Sequence, residues 1–209
     1  VPLDSFFNLL SFAPEQILYQ TILYFSNILF IIRGFIMLTE INYSQFDEIY
    51  QIMENSFPQD ERRPYNEQRH LLELPNYHIY AQPDPSYTHT QGFLAIWDTP
   101  SLCFIEHFAV NPLYRNQGLG ASMLQELIDH QSKQICLEVE LPETELAIRR
   151  IHFYERNGLY LNSYSYTQPA LSAGQQAIPL YLMTSGHTLE PSEFATIQKE
   201  IMQYVYHTA

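Results

Sequence analysis

The chain has 209 residues, of which 46% are hydrophobic and 14% aromatic, so it can bury a substantial core and is not a disordered tail. Its 10 basic and 23 acidic side chains give a formal net charge of −13, which repels phosphate backbones and argues against nucleic-acid binding. That charge would attract a cationic amine, although acidic soluble proteins are common. Cys103 and Cys136 show no CxxC spacing and no Cys/His cluster. We therefore expect two buried thiols, no disulfide, no metal site and a cytoplasmic location.

Residues 1–36 differ in composition from the rest of the chain. They are rich in Phe, Leu and Ile, and their apolar stretch, 22–36, is interrupted by polar residues and an arginine. A bilayer span needs about 20 mostly apolar residues, and a signal peptide needs a basic start and small residues at its end. We predict a non-core segment over 1–36 and one domain over 37–209. Three interpretations of the segment stay open: upstream translated sequence with Met37 as the true start, an added helix packing on the domain or a partner, and a membrane anchor.

From residue 37 onward, hydrophobic periodicity predicts alternating strands and helices. The predicted strands cover 38–41, 77–81, 91–97, 102–110, 135–141, 159–166 and 178–183. The predicted helices cover about 46–53, 64–74, 121–132, 143–157 and 191–206. Three consecutive strands before the central helix suggest hairpins, and the strand–helix–strand step over 102–141 predicts one parallel crossover. The predicted fold class is α/β (α+β mixed): a mostly antiparallel sheet with one parallel crossover and helices on both faces.

Residues 110–120, Val-Asn-Pro-Leu-Tyr-Arg-Asn-Gln-Gly-Leu-Gly, join the fourth predicted strand to the next helix. Gly118 and Gly120 stand at the helix start, where unpaired backbone N–H groups and the positive end of the helix dipole can bind phosphate. Two spaced glycines also occur in ordinary tight turns. The stretch is not a Walker A loop, because no Gly-Lys-Ser/Thr follows, and it lacks the three glycines of a dinucleotide fingerprint.

Two motifs resemble those of a known family. Residues 115–120, Arg-Asn-Gln-Gly-Leu-Gly, are similar to the Arg/Gln-x-x-Gly-x-Gly/Ala signature of the GNAT acetyltransferase superfamily. Residues 153–159, Phe-Tyr-Glu-Arg-Asn-Gly-Leu, resemble its second motif, Phe-Tyr-x-x-x-Gly-Phe, at a fitting distance. The resemblance covers roughly 38–185. It implies the GNAT fold and an acetyltransferase that uses acetyl-CoA and no metal.

The resemblance also implies residue roles at the donor site. The backbone amides of 116–121 would bind the CoA pyrophosphate, and the Val110 backbone would bind the pantetheine or the thioester carbonyl. Tyr154 matches the tyrosine that often protonates the departing thiolate; its other interpretation is a core aromatic residue. The implied donor-binding residues are Phe108, Ala109, Val110, Arg115, Asn116, Gln117, Gly118, Leu119, Gly120 and Ala121.

Glu106 is the predicted general base. Regular strand alternation places it on one face with Phe104, Phe108 and Val110, so we expect burial to raise its pKa. In many members of the GNAT family, an acidic residue on this strand contacts the acceptor amine or deprotonates it through water.

Other residues receive an ordinary structural interpretation. Strand alternation directs His107 to the opposite face, and we interpret it as an ordinary core or surface histidine. Glu138 and Glu140 are interpreted as part of the solvent-exposed face of the fifth strand. One departure from the family pattern lies in the following helix. The family often has Asn seven residues before the tyrosine and Ala four before it, where this chain has Ala147 and Arg150.

These observations lead us to expect transfer of an acetyl group from acetyl-CoA to a primary amine in a ternary complex, because no nucleophile motif suggests a covalent acetyl-enzyme. The alternative is a catalytically silent acyl-CoA-binding or sensing module of the same fold. The expected partner is a small-molecule or peptide amine and not a nucleic acid, a membrane is the least favoured partner, and the chain is expected to be a monomer or homodimer. The sequence does not identify the amine. We expect its pocket within 56–75 and 167–177, with Tyr65, Tyr166 and Gln168 as candidate lining residues.

Overall fold

The computed structural model describes residues 38–208, so the predicted non-core segment, 1–36, lies outside the described residues. The strands are β1 (Thr39–Glu40), β2 (Tyr77–Pro83), β3 (Thr90–Asp98), β4 (Leu102–Val110), β5 (Gln134–Glu140), β6 (Leu159–Gln168) and β7 (Ile178–Ser185). The α-helices are α1 (Phe46–Glu54), α2 (Tyr65–His70), α3 (Leu119–His130), α4 (Glu145–Arg156) and α5 (Pro191–Tyr204). Each predicted strand and helix is present. The end of the second predicted helix is a 3₁₀ turn, Leu71–Glu73.

The strands form a sheet in the order β1-β2-β3-β4-β5-β7-β6. Neighbouring strands are antiparallel, except that β4 and β5 are parallel and are joined through α3. The predicted fold class, a mostly antiparallel sheet with one parallel crossover, is therefore confirmed. Within residues 38–208, no helix combines the length and the apolar character that crossing a membrane requires.

Helices cover both faces of the sheet. Apolar side chains of α1, α2 and α5 share a core with alternate sheet residues such as Phe93 and Trp97. The residues between them, including Leu94 and Ile96, are also buried but face the other way. The second layer contains α3 and α4, which approach each other where Gly120 lies close to the Phe153 ring.

A β-bulge interrupts β4. Ala95 and Ile96 of β3 oppose three residues of β4, 105–107, so one residue of β4 is extra. As a result, Phe104 and Ala109 belong to the same core cluster although they are five positions apart. The bulge reverses the inward and outward alternation along the second half of β4.

The bulge overturns one expectation about Glu106. After the bulge, Phe108 and Val110 lie against Gly120 of α3: a Cβ at Gly120 would be 3.7 Å from Phe108 Cζ and 3.5 Å from Val110 Cγ2. Glu106 instead reaches Arg63, which precedes α2 on the opposite face. The predicted common face of Glu106, Phe108 and Val110 is therefore wrong.

The sheet opens between its two parallel strands. Leu102–Ile105 of β4 pairs with Gln134–Leu137 of β5, and the ladder ends there. Beyond this point β4 continues as far as Val110 along β3, and β5 continues as far as Glu140 along β7. The ends of β4 and β5 therefore border an opening in the middle of the sheet.

Candidate active site

A pocket of about 970 Å³ occupies the opening between β4 and β5. Phe57 and Glu61, which follow α1, form part of its wall. Leu119 of α3 and Tyr154 of α4 form another part. Because α1 and the pair α3 and α4 cover opposite faces of the sheet, the pocket is lined from both faces and passes through the opening in the sheet.

The end of β4 directs backbone polar groups into this pocket. The Asn111 N–H donates to the Gln91 carbonyl at 2.8 Å, on the β3 side. Since successive residues of a strand direct their N–H groups to opposite sides, the Val110 N–H and carbonyl point away from β3. The Val110 carbonyl accepts a hydrogen bond from Arg115 Nε at 2.9 Å. The ladder with β5 has already ended at Ile105, so the Val110 N–H is a donor aimed at the pocket.

The loop between β4 and α3 has the geometry of an anion site. After the 3₁₀ turn Pro112–Tyr114, Asn116 and Gly118 adopt left-handed φ angles of 62° and 80°. No atom lies within 4 Å of the position that a Cβ would take at Gly118, so its backbone conformation, and not lack of space, favours glycine there. The first N–H groups of α3, from Leu119 onward, have no partner inside the helix. The helix start therefore presents donors to the pocket.

The structure brings together almost all of the predicted site residues. Glu106, Tyr154 and nine of the ten donor-binding residues line the pocket. Gln117 is exposed and does not line it. The nine are Phe108, Ala109, Val110, Arg115, Asn116, Gly118, Leu119, Gly120 and Ala121.

Tyr154 projects from α4 into the wall of the pocket. Its ring packs edge-on against Phe153, with 5.2 Å between the ring centroids. Removal from water raises the pKa of Tyr154 to about 12, partly opposed by the nearby positive charge of Arg150. The hydroxyl therefore stays protonated at neutral pH and can donate a proton.

Glu106 is held in a buried ion pair. Its Oε1 lies 2.6 Å from Arg63 Nη1, and the two side chains are only 3% and 9% exposed. Desolvation raises the pKa of Glu106, but the Arg63 charge and the contacts with His107 outweigh it and lower the pKa to about 2. The expected rise in pKa is therefore wrong. A carboxylate with so low a pKa accepts a proton poorly at neutral pH.

Glu138 was missed as a site residue. The interpretation as a solvated strand face is wrong for this residue, because it is partly buried and lines the pocket. Its carboxylate accepts hydrogen bonds from Tyr166 and Tyr206, and the Tyr206 hydroxyl lies 2.7 Å from both carboxylate oxygens. Desolvation raises the pKa of Glu138 to about 7 against the lowering effect of the two tyrosines. The local pattern contains no signal of this cluster, since the partners follow 28 and 68 positions later.

The other polar residues are explained by ordinary contacts. His107 is 2% exposed and packs edge-on against Phe57, with 4.8 Å between ring centroids, as a core histidine does. Glu140 Oε2 pairs with Arg150 Nη1 at 2.6 Å. Among the candidate acceptor-site residues, Gln168 lines the pocket and is 5% exposed. In contrast, Tyr65 and Tyr166 contact Asp47 and Glu138 and do not line it.

Cys103 and Cys136 are both buried and free, as expected. Across residues 38–208, no three His, Cys, Asp or Glu side chains come together in a way that could hold a metal ion.

Comparison with known proteins agrees with the motifs. Residues 46–159 match the model of the Acetyltransferase (GNAT) family. The solved structure of a protein from Bacteroides thetaiotaomicron, described as a GNAT-family acetyltransferase, is 31% identical, covers 83% of this chain and 100% of its own, and has a TM-score of 0.77. No curated protein sequence matches the chain significantly.

More distant structures share the fold. A variant of the spermidine N-acetyltransferase from Vibrio cholerae is 12% identical, covers 71% of this chain and 94% of its own, and has a TM-score of 0.55. NAA60 from Arabidopsis thaliana, solved in complex with acetyl-CoA, is 18% identical, covers 71% of this chain and 96% of its own, and has a TM-score of 0.54. From the family model, and from the 31% identity over the full length of the Bacteroides structure, the chain belongs to the GNAT family of acetyltransferases.

Proposed function

We propose that this acetyltransferase takes the acetyl group from acetyl-CoA and transfers it directly to a primary amine while both substrates are bound. The observation that carries the proposal is the pocket that passes through the sheet between β4 and β5. Such a pocket lets two substrates meet from opposite faces, so no acetylated enzyme is needed in between.

The residues on the α3 side fit the donor. The first turn of α3 offers backbone N–H groups for the pyrophosphate, and the left-handed Gly118 shapes the turn in front of them. The Val110 N–H, directed at the opening, would donate to the thioester carbonyl and stabilise negative charge on its oxygen. The NAA60 complex with acetyl-CoA shows that a protein of this fold holds the same donor.

The chemistry requires two proton movements. The amine nitrogen attacks the carbonyl carbon of the thioester, the new C–N bond forms, and the C–S bond breaks. Before the attack, the bound ammonium gives up a proton to a base or to water, because only the neutral amine is a nucleophile. The departing thiolate takes a proton from the Tyr154 hydroxyl, which is restored by the proton that the nitrogen loses after the attack. Tyr154 is suited to the first role, since its raised pKa keeps the proton in place until a thiolate develops beside it.

The side of the pocket next to α1 suits a positively charged acceptor. Glu61, Glu138 and Gln168 line the pocket on the side of α1 and α5, and the formal net charge of the chain is −13. Carboxylates attract ammonium groups of small molecules and of peptide N-termini alike. The acceptor class is therefore a primary amine, whether on a small molecule or a peptide.

A second candidate function is a catalytically silent acyl-CoA-binding module. The observation that favours it is the ion pair between Arg63 and Glu106, since the predicted base has a pKa of about 2 and is poorly suited to proton transfer. In that case the donor site would serve for sensing or assembly.

Two measurements separate these functions. Calorimetry with acetyl-CoA tests the donor site, and a thiol-release assay with spermidine, other small amines and short peptides tests turnover. Binding together with amine-dependent thiol release supports the transferase. Binding without release from any amine supports the silent module, and the absence of acetyl-CoA binding contradicts both.

A further inference from the structure

We infer that Glu138 accepts the proton that the amine loses, and that Tyr166 and Tyr206 position its carboxylate for this task. The inference rests on the proposed acetyl transfer. It makes the segment after α5, which carries Tyr206, part of the catalytic site.

Glu138 lies where the sheet has opened. On β5 it follows Leu137, the last residue paired with β4, and it pairs on its other side with Leu182 of β7. Its side chain reaches Tyr206, whose ring packs against Phe104 in the core covered by α1 and α5. Glu138 is therefore on the side of the sheet opposite to the α3 loop.

This placement separates the two proton-transfer groups. Tyr154 lies on α4, on the donor side of the opening, and Glu138 lies on the other side, although both line the same pocket. An amine that enters from the side of Glu138 meets a proton acceptor before it reaches the thioester. The thiolate departs on the side of Tyr154. The two proton transfers can then occur at opposite ends of the reacting group.

The hydrogen bonds orient the Glu138 carboxylate and still leave it able to accept another hydrogen bond. Oε1 accepts from Tyr166, and the single hydroxyl proton of Tyr206 is shared between Oε1 and Oε2, each of which lies 2.7 Å from the Tyr206 oxygen. A carboxylate oxygen offers two lone-pair directions, so Oε2 keeps one for the N–H of an amine. The two tyrosines come from different elements, β6 and the end of the chain after α5, which fixes the carboxylate from two directions.

The surroundings of Glu138 suit reversible protonation. The titratable or charged groups that influence it are Tyr166, Tyr206, Glu106, Arg63 and Cys136. Desolvation raises the pKa of Glu138, the tyrosine hydrogen bonds lower it, and the charges of Glu106 and Arg63 act in opposite directions, with a result of about 7. A base with a pKa near the working pH can both accept the proton and release it to water afterwards. Glu106, neutralised by its arginine, lacks this property.

Three variants test the assignment: Glu138→Gln, Tyr206→Phe and the control Glu40→Gln, which removes an exposed strand carboxylate that does not line the pocket. Thiol release from acetyl-CoA is followed between pH 5.5 and 9 with spermidine and with an alanine-ended peptide as probe amines. Glu138→Gln should lower kcat/KM by about 10²–10⁴-fold and leave the affinity for acetyl-CoA unchanged. Glu40→Gln should stay within about twofold, because Glu40 is exposed on β1 and does not line the pocket.

The pH profile distinguishes a positioning role of Tyr206 from a merely structural one. Activity of the wild type should fall on the acid side of about pH 7, as Glu138 becomes protonated. Tyr206→Phe removes a hydrogen bond that favours the charged carboxylate, so this acid limb should move to higher pH. Carbon-13 NMR of the glutamate carboxyls gives a second readout: one resonance should titrate near 7, vanish in Glu138→Gln and move upward in Tyr206→Phe.

The outcomes separate the inference from the proposed function. If the wild type acetylates a probe amine and Glu138→Gln retains full kcat/KM with the acid limb unmoved, the inference is overturned and the function stands. If the wild type binds acetyl-CoA but acetylates none of the amines, the proposed transfer fails and the inference fails with it. If the Glu138 carboxyl titrates near the ordinary pKa of a glutamate in the free protein, the inference is also overturned.

Discussion

Nη1 of Arg63 lies 2.6 Å from Oε1 of Glu106, and this buried contact joins the segment before α2 to the bulge of β4. The Tyr50 hydroxyl donates to the Arg63 carbonyl at 3.0 Å, so the same residue is also tied to α1. The ion pair therefore fastens the α1–α2 connection onto the sheet beside the pocket. Its first role is structural.

Breaking this ion pair should destabilise the fold. In Glu106→Gln the buried Arg63 charge loses its partner, which typically costs about 3–5 kcal/mol. Urea unfolding at pH 7 measures the change. The double variant Arg63→Met/Glu106→Leu, which removes both charges, should recover most of the loss. A loss below about 1 kcal/mol for Glu106→Gln would show that water screens the pair.

Glu106 and Glu138 should make the stability of the fold depend on pH in opposite directions. The pKa of Glu106 is lowered from 4.5 to about 2, so its contribution is present above pH 4.5 and is lost as the pH falls toward 2. The pKa of Glu138 is raised from 4.5 to about 7, so its contribution is present below pH 4.5 and is lost as the pH rises through 7. Glu138→Gln should thus flatten the loss of stability between pH 4.5 and 7, and Glu106→Gln the loss between 4.5 and 2. Thermal unfolding across this range checks both signs, and unchanged slopes would contradict them.

The left-handed residue of the α3 loop should control donor binding. Gly118→Val places a β-branched side chain at φ 80°, a strained conformation that distorts the turn in front of the helix N–H groups. Calorimetry should show that the affinity for acetyl-CoA falls more than tenfold, about 1.4 kcal/mol. The matched control is Gly186→Val, at φ 91° and away from the pocket, which should lower the melting temperature without weakening binding. Equal affinities of the folded Gly118→Val and wild-type proteins would remove the basis for this site.

Removal of the Tyr154 hydroxyl tests whether this residue is the general acid. Tyr154→Phe keeps the ring packed on Phe153 and removes the proton donor, so kcat should fall by about 10²–10⁴-fold while acetyl-CoA affinity is retained. Tyr160→Phe, on an exposed tyrosine of β6, serves as the control and should leave kcat unchanged. Full activity in Tyr154→Phe would assign the proton to water or another residue and leave Tyr154 as a wall of the pocket.

Much of the fold and of the donor loop follows from local sequence patterns. Strands and helices carry periodicity within themselves, and Gly118 marks a turn that the structure confirms as left-handed. The bulge at Glu106 was not foreseen, since one inserted residue leaves the run of apolar neighbours looking like an ordinary strand. Glu138 alternates like an exposed residue, and only the fold brings Tyr166 and Tyr206 to it from distant positions.

The separation of β4 from β5 beyond Ile105 should be detectable by amide hydrogen exchange. The amides of Phe104 and Ile105 lie in the closed part of the ladder and should exchange slowly in the free protein. The Val110 amide faces the opening and should exchange quickly, although Val110 belongs to the same strand, β4, as Phe104 and Ile105. Acetyl-CoA should slow exchange at Val110 and in the first turn of α3 while leaving Phe104 unaffected. In the free protein, the amides of β4 would then differ strongly in their protection from exchange. With acetyl-CoA bound, their protection would become nearly equal.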